Sequence, residues 1–440
     1  MSRFPYAGWS NASSRSPRRV QLLAGLVVLG ASAVSNGCGS DVQQTSARRP
    51  QVTDSAGVAI IENTTSAWDS AGAWRIEPEP LLQIGVVDGE DPYVFEQISS
   101  LGRLSDGRLF LFERGSREIR AFDARGTYLN SIGRAGDGPG EFPVPARTVS
   151  SAMATGPRDP LVVATPGDTL LAWNARGNRL AWFLPNGTLV REASYDPAEL
   201  LRAMDGLAGA SWQLLPDGTV FFNADNVGSA LRSGGPRFQE GTLGVTTRRV
   251  GLVLDGFTRT GATLVVPFSE WYGFFQNPAY PMSVVAPQAS PVRLHVSTPE
   301  RWEVRTYDAE GALVRIVRLP LPRSPLSQDW LDTRLAMFPP SMRAEMEAAF
   351  DEFTMPDSVS PIEGLRTDTE GNLWIADAAT FREGGVYDAH VIDAGGRWLG
   401  RVEGIVPWMR IQEIGSDYVL LRWSDDLSLQ YLRVHRLVKP

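Results

Sequence analysis

Residues 107–126 read GRLFLFERGSREIRAFDARG, and residues 168–187 read DTLLAWNARGNRLAWFLPNG. The two stretches align without a gap at an offset of 61 residues. Each is a short apolar run, a polar turn, a second apolar run and a turn ending on glycine, Gly126 or Gly187. The turn recurs as YDAEG at 307–311 and IDAGG at 392–396, and all four copies lead into an apolar run: TYLNSI, TLVREA, ALVRIV and RWLGRV. Glycine at such a turn supplies the positive φ that a tight hairpin needs. A second signature enters the apolar pairs: LSDGRLFLF at 104–112, LPDGTVFFN at 215–223 and TEGNLWIAD at 369–377. Asp-Gly or Glu-Gly before alternating apolar residues reads as a hairpin turn into a strand.

The marked turns fall near 123, 184, 308 and 393. The first interval is one repeat; the second is two, with the unit at 215–223 between; the third is one repeat with an insertion. An unmarked unit, SDYVLLRWSDDLSLQYLRVHRL at 416–437, completes the series. Repeats of this length imply stacked, self-similar units. Six units of three or four antiparallel strands predict an all-β, six-bladed β-propeller over residues 57–440. The expected blade cores lie near 97–135, 146–195, 208–258, 262–320, 360–404 and 405–438. Two further strand-like runs, GVAIIEN and WRIEPEPLLQIG, precede the first unit. They are expected to add outer strands to the last blade and close the ring.

Residues 133–142, GRAGDGPGEF, hold four glycines and a proline, which excludes a helix or a central strand. With the flanking LSDGRLFLFE, IRAFDARG and LNSIGR, this run resembles the link segment of bacterial six-bladed β-propeller proteins of the NHL-repeat-like group. The resemblance implies a turn from one blade's outer strand to the next blade's inner strand, with Phe142 plugged between blades. It also implies a range of functions, since such propellers include binding proteins, lyases and lactonases. A glycine-rich phosphate cradle is the alternative for the run, but no Lys-Ser/Thr and no helical pattern follow it.

One stretch breaks the β pattern. In residues 324–358, Met342, Met346, Ala349, Phe350 and Phe353 share one helix face, and a shorter helix is expected around Trp330, Leu331 and Arg334. This helical insertion is compatible with a flap packed on the propeller face and with a lid over the channel.

The first 37 residues differ in kind from the rest. Arg15, Arg18 and Arg19 precede an apolar run from Val20 to Val34 that is short for a bilayer span. A basic start, a short apolar core and small residues after it read as a secretory signal peptide. The single cysteine, Cys38, follows Gly37 and resembles the lipidated cysteine of a bacterial lipoprotein signal; a plain cleaved signal with a stray cysteine is the alternative. Residues 38–56 read as a flexible tether. The chain is therefore expected to be exported, as a periplasmic or outer-membrane lipoprotein touching the membrane only through its anchor. Loss of residues 1–37 removes four arginines and no acid, taking the formal charge from −8 to −12. Nucleic-acid binding is not expected of so acidic a chain.

The inventory narrows the chemistry. Lys439 is the one lysine, which argues against Schiff-base and Walker-type sites. His295, His390 and His435 lie in strand-like runs of three different units, where a three-histidine zinc site would need them to converge. The repeat alignment places Glu113, Asn174 and Asp377 at one corresponding point of three units, with Asn223 nearby in a fourth. Oxygen donors of this type suit Ca²⁺, and calcium-dependent lactonase propellers use a comparable set. The same residue types also cap turns. Tyr272, Phe274 and Phe275, in SEWYGFFQNPAY, are candidates for exposed aromatic loops that bind sugars or peptides. The expectation is a non-enzymatic cell-envelope propeller without a cofactor, binding a protein, peptide or saccharide through its face and central channel. The alternative is a Ca²⁺-dependent lactonase-like hydrolase using Glu113, Asn174 and Asp377.

Overall fold

The computed structural model describes residues 49–68, 72–144, 156–205, 211–225, 243–272, 275–404 and 406–440. Residues 1–37, Cys38 and Phe274 lie outside them. The architecture is that of a β-propeller: consecutive antiparallel meanders, each a four-stranded unit or an extension of one. The first sheet holds Ile98–Arg103, Leu109–Glu113, Glu118–Phe122 and Tyr128–Ile132. The second holds Leu161–Ala164, Leu170–Asn174, Arg179–Phe183 and Leu189–Ser194, so its last three strands begin 61 residues after those of the first. The third runs from Ser211–Leu214 and Val220–Asp225 into a long hairpin, Leu243–Leu254 and Arg259–Tyr272, and ends at Phe275–Gln276. The fourth starts with Val285–Ala289, Val292–Ser297, Glu303–Asp308 and Leu313–Arg318. The fifth holds Ile362–Thr367, Leu373–Asp377, Ala389–Ile392 and Trp398–Val402. In the sixth, Ile411–Ile414, Tyr418–Ser424 and Gln430–Val438 are joined by Arg75–Ile84 from the other end of the chain.

The repeated turn has a local cause. Asp123 Oδ1 accepts the amides of Arg125 and Thr127, Asp308 Oδ1 those of Glu310 and Ala312, and Asp393 Oδ1 those of Gly395 and Arg397. One carboxylate oxygen thus closes each turn, and the glycine three residues on takes the left-handed conformation, with φ of 87°, 93° and 95°. The apolar runs are continuous because each second strand is buried on both faces. Leu109 and Leu111 pack against the sixth sheet, while Phe110 and Phe112 pack against the second. Leu373 and Ile375 likewise face the fourth sheet, and Trp374 and Ala376 the sixth. The core is accordingly distributed as clusters between neighbouring sheets rather than as one centre.

The link 133–142 folds back on itself: the Phe142 amide donates to Arg134 O (2.8 Å) and the Gly136 amide to Phe142 O (3.2 Å). Phe142, 1% exposed, is wedged between Phe112 of the first sheet and Phe183 of the second, at ring separations of 5.0 and 6.1 Å. The expected plug is present. Gly133 and Gly140 both have φ of 71°, whereas Gly138 does not need positive φ.

The N-terminal runs part company. Arg75–Ile84 extends the sixth sheet as expected, but Val58–Glu62 pairs parallel with Leu313–Arg318 of the fourth sheet and carries Gln51–Ser55 outside it. Ile61 explains the choice, since it is buried in the cluster between the fourth and fifth sheets. The last residues of the expected tether are therefore a strand. The strand Arg259–Tyr272 pairs with Leu243–Leu254, so the third sheet reaches past the boundary expected at 258–262.

Three α-helices are described. Helix α1 (Pro197–Met204) was not foreseen, although Asp196 accepting the Ala198 amide before Pro197 is a readable helix start. Helices α2 (Gln328–Leu335) and α3 (Pro340–Phe350) lie between the fourth and fifth sheets in sequence. On the expected α3 face Met346 and Ala349 are buried, as is Phe353 beyond the helix, but Met342 is exposed. No helix among the described residues is long and apolar enough to cross a membrane.

Candidate functional site

Glu113, Asn174 and Asp377 occupy one register position, the last residue of the second strand in three sheets. Each closes the turn that follows. Glu113 Oε1 accepts the amides of Glu96 (3.0 Å) and Gln97 (3.1 Å), and its Oε2 accepts the Ser116 amide (2.7 Å) and hydroxyl (3.1 Å). Burial pushes the Glu113 carboxyl up, but the amides of Ser116, Gln97 and Gly115 outweigh it and hold the group below the usual range. Asn174 Oδ1 accepts the Gly177 amide (3.4 Å), and its buried Nδ2 has no hydrogen-bond partner. Asp377 Oδ1 accepts the Ala379 amide (2.9 Å), and its Oδ2 lies 3.7 Å from His390 Nε2.

Asn223 is different. It stands one residue earlier in its strand, and successive side chains of a strand point to opposite faces. With Phe221, two residues before it, Asn223 lines a cavity that the other three candidates do not reach.

The histidines are strand residues. His295 contacts Thr306 Oγ1 (3.0 Å) and Gln288 Oε1 (2.9 Å), and burial first, then Arg315 and Arg293, pushes its pKa down to about 3. His390 sits between the rings of Trp302 and Trp398. His435 Nδ1 is 2.9 Å from Glu77 O, and burial lowers its pKa. Among the described residues, no group of three His, Cys, Asp or Glu side chains is placed to hold a metal ion. The aromatic stretch from 269 is also partly structural: Trp271 Nε1 donates to Thr246 Oγ1 (3.1 Å), Glu270 is 3% exposed, and Tyr272 ends the strand.

The cavity, of about 450 Å³, opens where the first strands of the third, fourth, fifth and sixth sheets come together. Gln213, Ala286, Leu365 and Ile411 are contributed by those four strands. Helix α2 adds Arg334 to its wall, and the turn after the helix adds Met337. Arg334 is held in place by the Glu363 carboxylate (2.8 Å), which also accepts the Tyr387 hydroxyl (3.1 Å). Its guanidinium also lies 4.7, 4.1 and 5.7 Å from the rings of Trp330, Phe381 and Tyr387. Burial, reinforced by Glu363, pushes the Tyr387 hydroxyl well above the ordinary phenol range. Trp330 Nε1 donates to Ala378 O (3.1 Å), so α2 is docked on the fifth sheet by two polar contacts.

Arg248, Glu413 and Arg366 also line the cavity. Glu413 takes a hydrogen bond from Tyr418, and burial raises its pKa. Arg366 donates Nη2 to Trp408 O (3.0 Å) and lies 5.4 Å from the Trp408 ring. Its Nε is enclosed without a hydrogen-bond partner. Burial alone lowers the Arg366 pKa to about 10, with no carboxylate offsetting it. These charged residues were not singled out from sequence. Their one trace is polarity inside otherwise apolar first strands, IEGLRT and IQEI.

No protein-family model matches the chain, and no curated protein matches it in sequence. Solved structures of similar shape include a virginiamycin B lyase from Staphylococcus aureus, at 9% identity over 81% of this chain and 98% of that one, with a TM-score of 0.33. A member of the DUF4221 family from Bacteroides vulgatus matches at 10% identity over 84% and 99%, with a TM-score of 0.38. The calcium-binding protein regucalcin from Agrobacterium tumefaciens matches at 10% identity over 79% and 92%, with a TM-score of 0.31. Similarity at this level carries no argument; the strand pairing defines the fold.

Proposed function

We propose that this chain is a six-bladed, NHL-repeat-like β-propeller of the cell envelope that binds a small ligand in its central cavity without transforming it. The blade count is supported by the order of the clusters: one joins each consecutive pair of sheets, and Ile84, Leu420 and Leu432 of the sixth pack with Ile98 and Leu109 of the first. Helices α2 and α3 are then an insertion after the fourth blade, with α2 roofing part of the cavity. Export behind residues 1–37 and anchoring through a lipidated Cys38 complete the reading.

The observation that carries it is the cavity itself. Four separate sheets and a helix contribute its walls, and its volume falls in the range of small-molecule sites, roughly 300–1,000 Å³. Polar groups at a few points within carbon-rich walls are what such a site uses to orient a ligand. Soaking crystals with a mixed set of charged and neutral fragments tests this. Fragments are expected in the cavity; a set that binds only on outer surfaces would remove the reading.

A further inference from the structure

We infer that the cavity takes a small organic acid, its carboxylate paired with Arg366 and its carbon body against Trp408, Leu365 and Met337. The inference rests on the cavity being a ligand site and adds the chemical class.

The charges of the lining set the sign. Arg334 is neutralised in place by Glu363, which is shared with Tyr387. Arg248 donates to Ser283 O (2.5 Å) and lies 5.0 Å from the Phe268 ring. Glu413 is bonded to Tyr418, with Arg103 as its nearby cation. Arg366 has no carboxylate within 4.0 Å among the described residues, and its described hydrogen bond is to a neutral carbonyl. A half-buried guanidinium without a counter-charge is costly, and a bound carboxylate would supply that charge with fork geometry.

The walls set the rest of the molecule. Trp408, Leu365, Ile411 and Met337 give the site aromatic and aliphatic surface, which suits an acid with a carbon body better than inorganic phosphate. Arg366 is a single cation, and a single carboxylate matches it.

The probes are 4-bromobenzoate and the neutral 4-bromobenzamide, located by bromine anomalous scattering and titrated calorimetrically. The acid is expected in the cavity with its carboxylate on Arg366, bound at least about tenfold more tightly than the amide, since charge-assisted bonds exceed neutral ones. In Arg366→Met that preference should vanish, while the melting temperature stays level or rises because an uncompensated half-buried charge is gone. Arg366→Lys keeps the charge without the fork and should bind the acid more weakly, yet still prefer it to the amide. The preference should also disappear below about pH 4 as the benzoate protonates.

Equal affinity for the two probes, or an acid preference that survives in Arg366→Met, would overturn the inference. So would neutral fragments filling a cavity that refuses the acid, and that result would leave the ligand-site reading standing. A cavity empty of every fragment removes both.

Discussion

The ring of Phe142 meets the ring of Phe112 edge-on, at 5.0 Å between centroids and 85° between planes. Ten residues after the end of an outer strand, a glycine-rich loop thus returns an aromatic to the seam between two sheets. Burying a phenylalanine stabilises by about 1.5–3 kcal/mol, and deleting one also leaves a void. Phe142→Ala is expected to cost about 3–5 kcal/mol in urea unfolding, and Phe142→Leu clearly less. A loss under about 1 kcal/mol for the alanine variant would show that the seam closes without the plug.

The glycines of the link are unequal. At Gly133 a Cβ would sit 2.4 Å from the Phe142 ring and 2.9 Å from Gly140 O, on a backbone with φ of 71°. Gly133→Ala should therefore destabilise by about 2 kcal/mol or more. At Gly138 a Cβ would meet the Glu141 carboxylate at 2.9 Å, a side-chain end that can move. Gly138→Ala is expected to change stability by less than about 1 kcal/mol. Equal melting temperatures for the two variants would contradict this ranking.

Sequence and structure agree where the physics is local. Asp123, Asp308 and Asp393 each close a turn within four residues, so the signature is visible in a single copy and reinforced by repetition. Phe142 was legible because a lone aromatic after four glycines has few uses besides burial. The cavity was not legible. Its lining comes from first strands separated by dozens of residues, so Arg366 and Glu413 look like ordinary strand polars until the sheets are placed together. The candidates Glu113, Asn174 and Asp377 were found by register, and register repeats turn caps as faithfully as ligands. The parallel docking of Val58–Glu62 on the fourth sheet depends on the burial of Ile61 against distant residues, which no pattern near residue 60 announces.

The segment that follows α3 is tied to the end of the third sheet through a buried carboxylate. Glu270 Oε2 accepts the Thr354 amide (2.9 Å) and Asn277 Nδ2 (2.8 Å), and Asn277 also donates to Thr354 O (3.4 Å). Glu270→Ala leaves these groups without their acceptor, at about 1–3 kcal/mol. Hydrogen exchange should rise over residues 328–354 while the Leu109–Glu113 and Leu170–Asn174 strands stay protected. Uniform loss of protection across the chain would mean that Glu270 supports the whole fold rather than the helical segment.

Anchoring is tested outside the described residues. If Cys38 is the lipidated first residue of the mature chain, labelled palmitate should mark the parent protein and not Cys38→Ser. The parent should then fractionate with membranes, because two or more acyl chains hold a protein stably where one does not. An unlabelled parent with another mature terminus would leave a freely exported propeller.

Acid should unfold the protein through its paired carboxylates, and Asp388 is the sharpest case. Its side chain is fully buried and bonded to Arg382 Nη2 (2.7 Å), to Arg401 and to the Gly404 amide (2.9 Å). Burial pushes its pKa up, but Arg382, Gly404 and Arg401 together hold it below the usual carboxylate value. A depressed folded-state pKa gives stability that is present above the unfolded value, about 3.9, and lost as pH falls through the folded one. Asp388→Asn should therefore cost about 1–3 kcal/mol at pH 7, less than a fully enclosed pair because Arg382 and Arg401 stay half exposed. The gap between parent and variant should narrow below about pH 4 as the parent's own carboxyl protonates. Glu413, whose pKa burial raises, works in the opposite sense: its contribution fades as pH rises, and it leaves the acid limb to groups such as Asp388. Melting temperatures of both proteins between pH 2.5 and 7 decide the matter. A constant gap across that range would mean that Asp388 acts through shape and hydrogen bonding rather than charge.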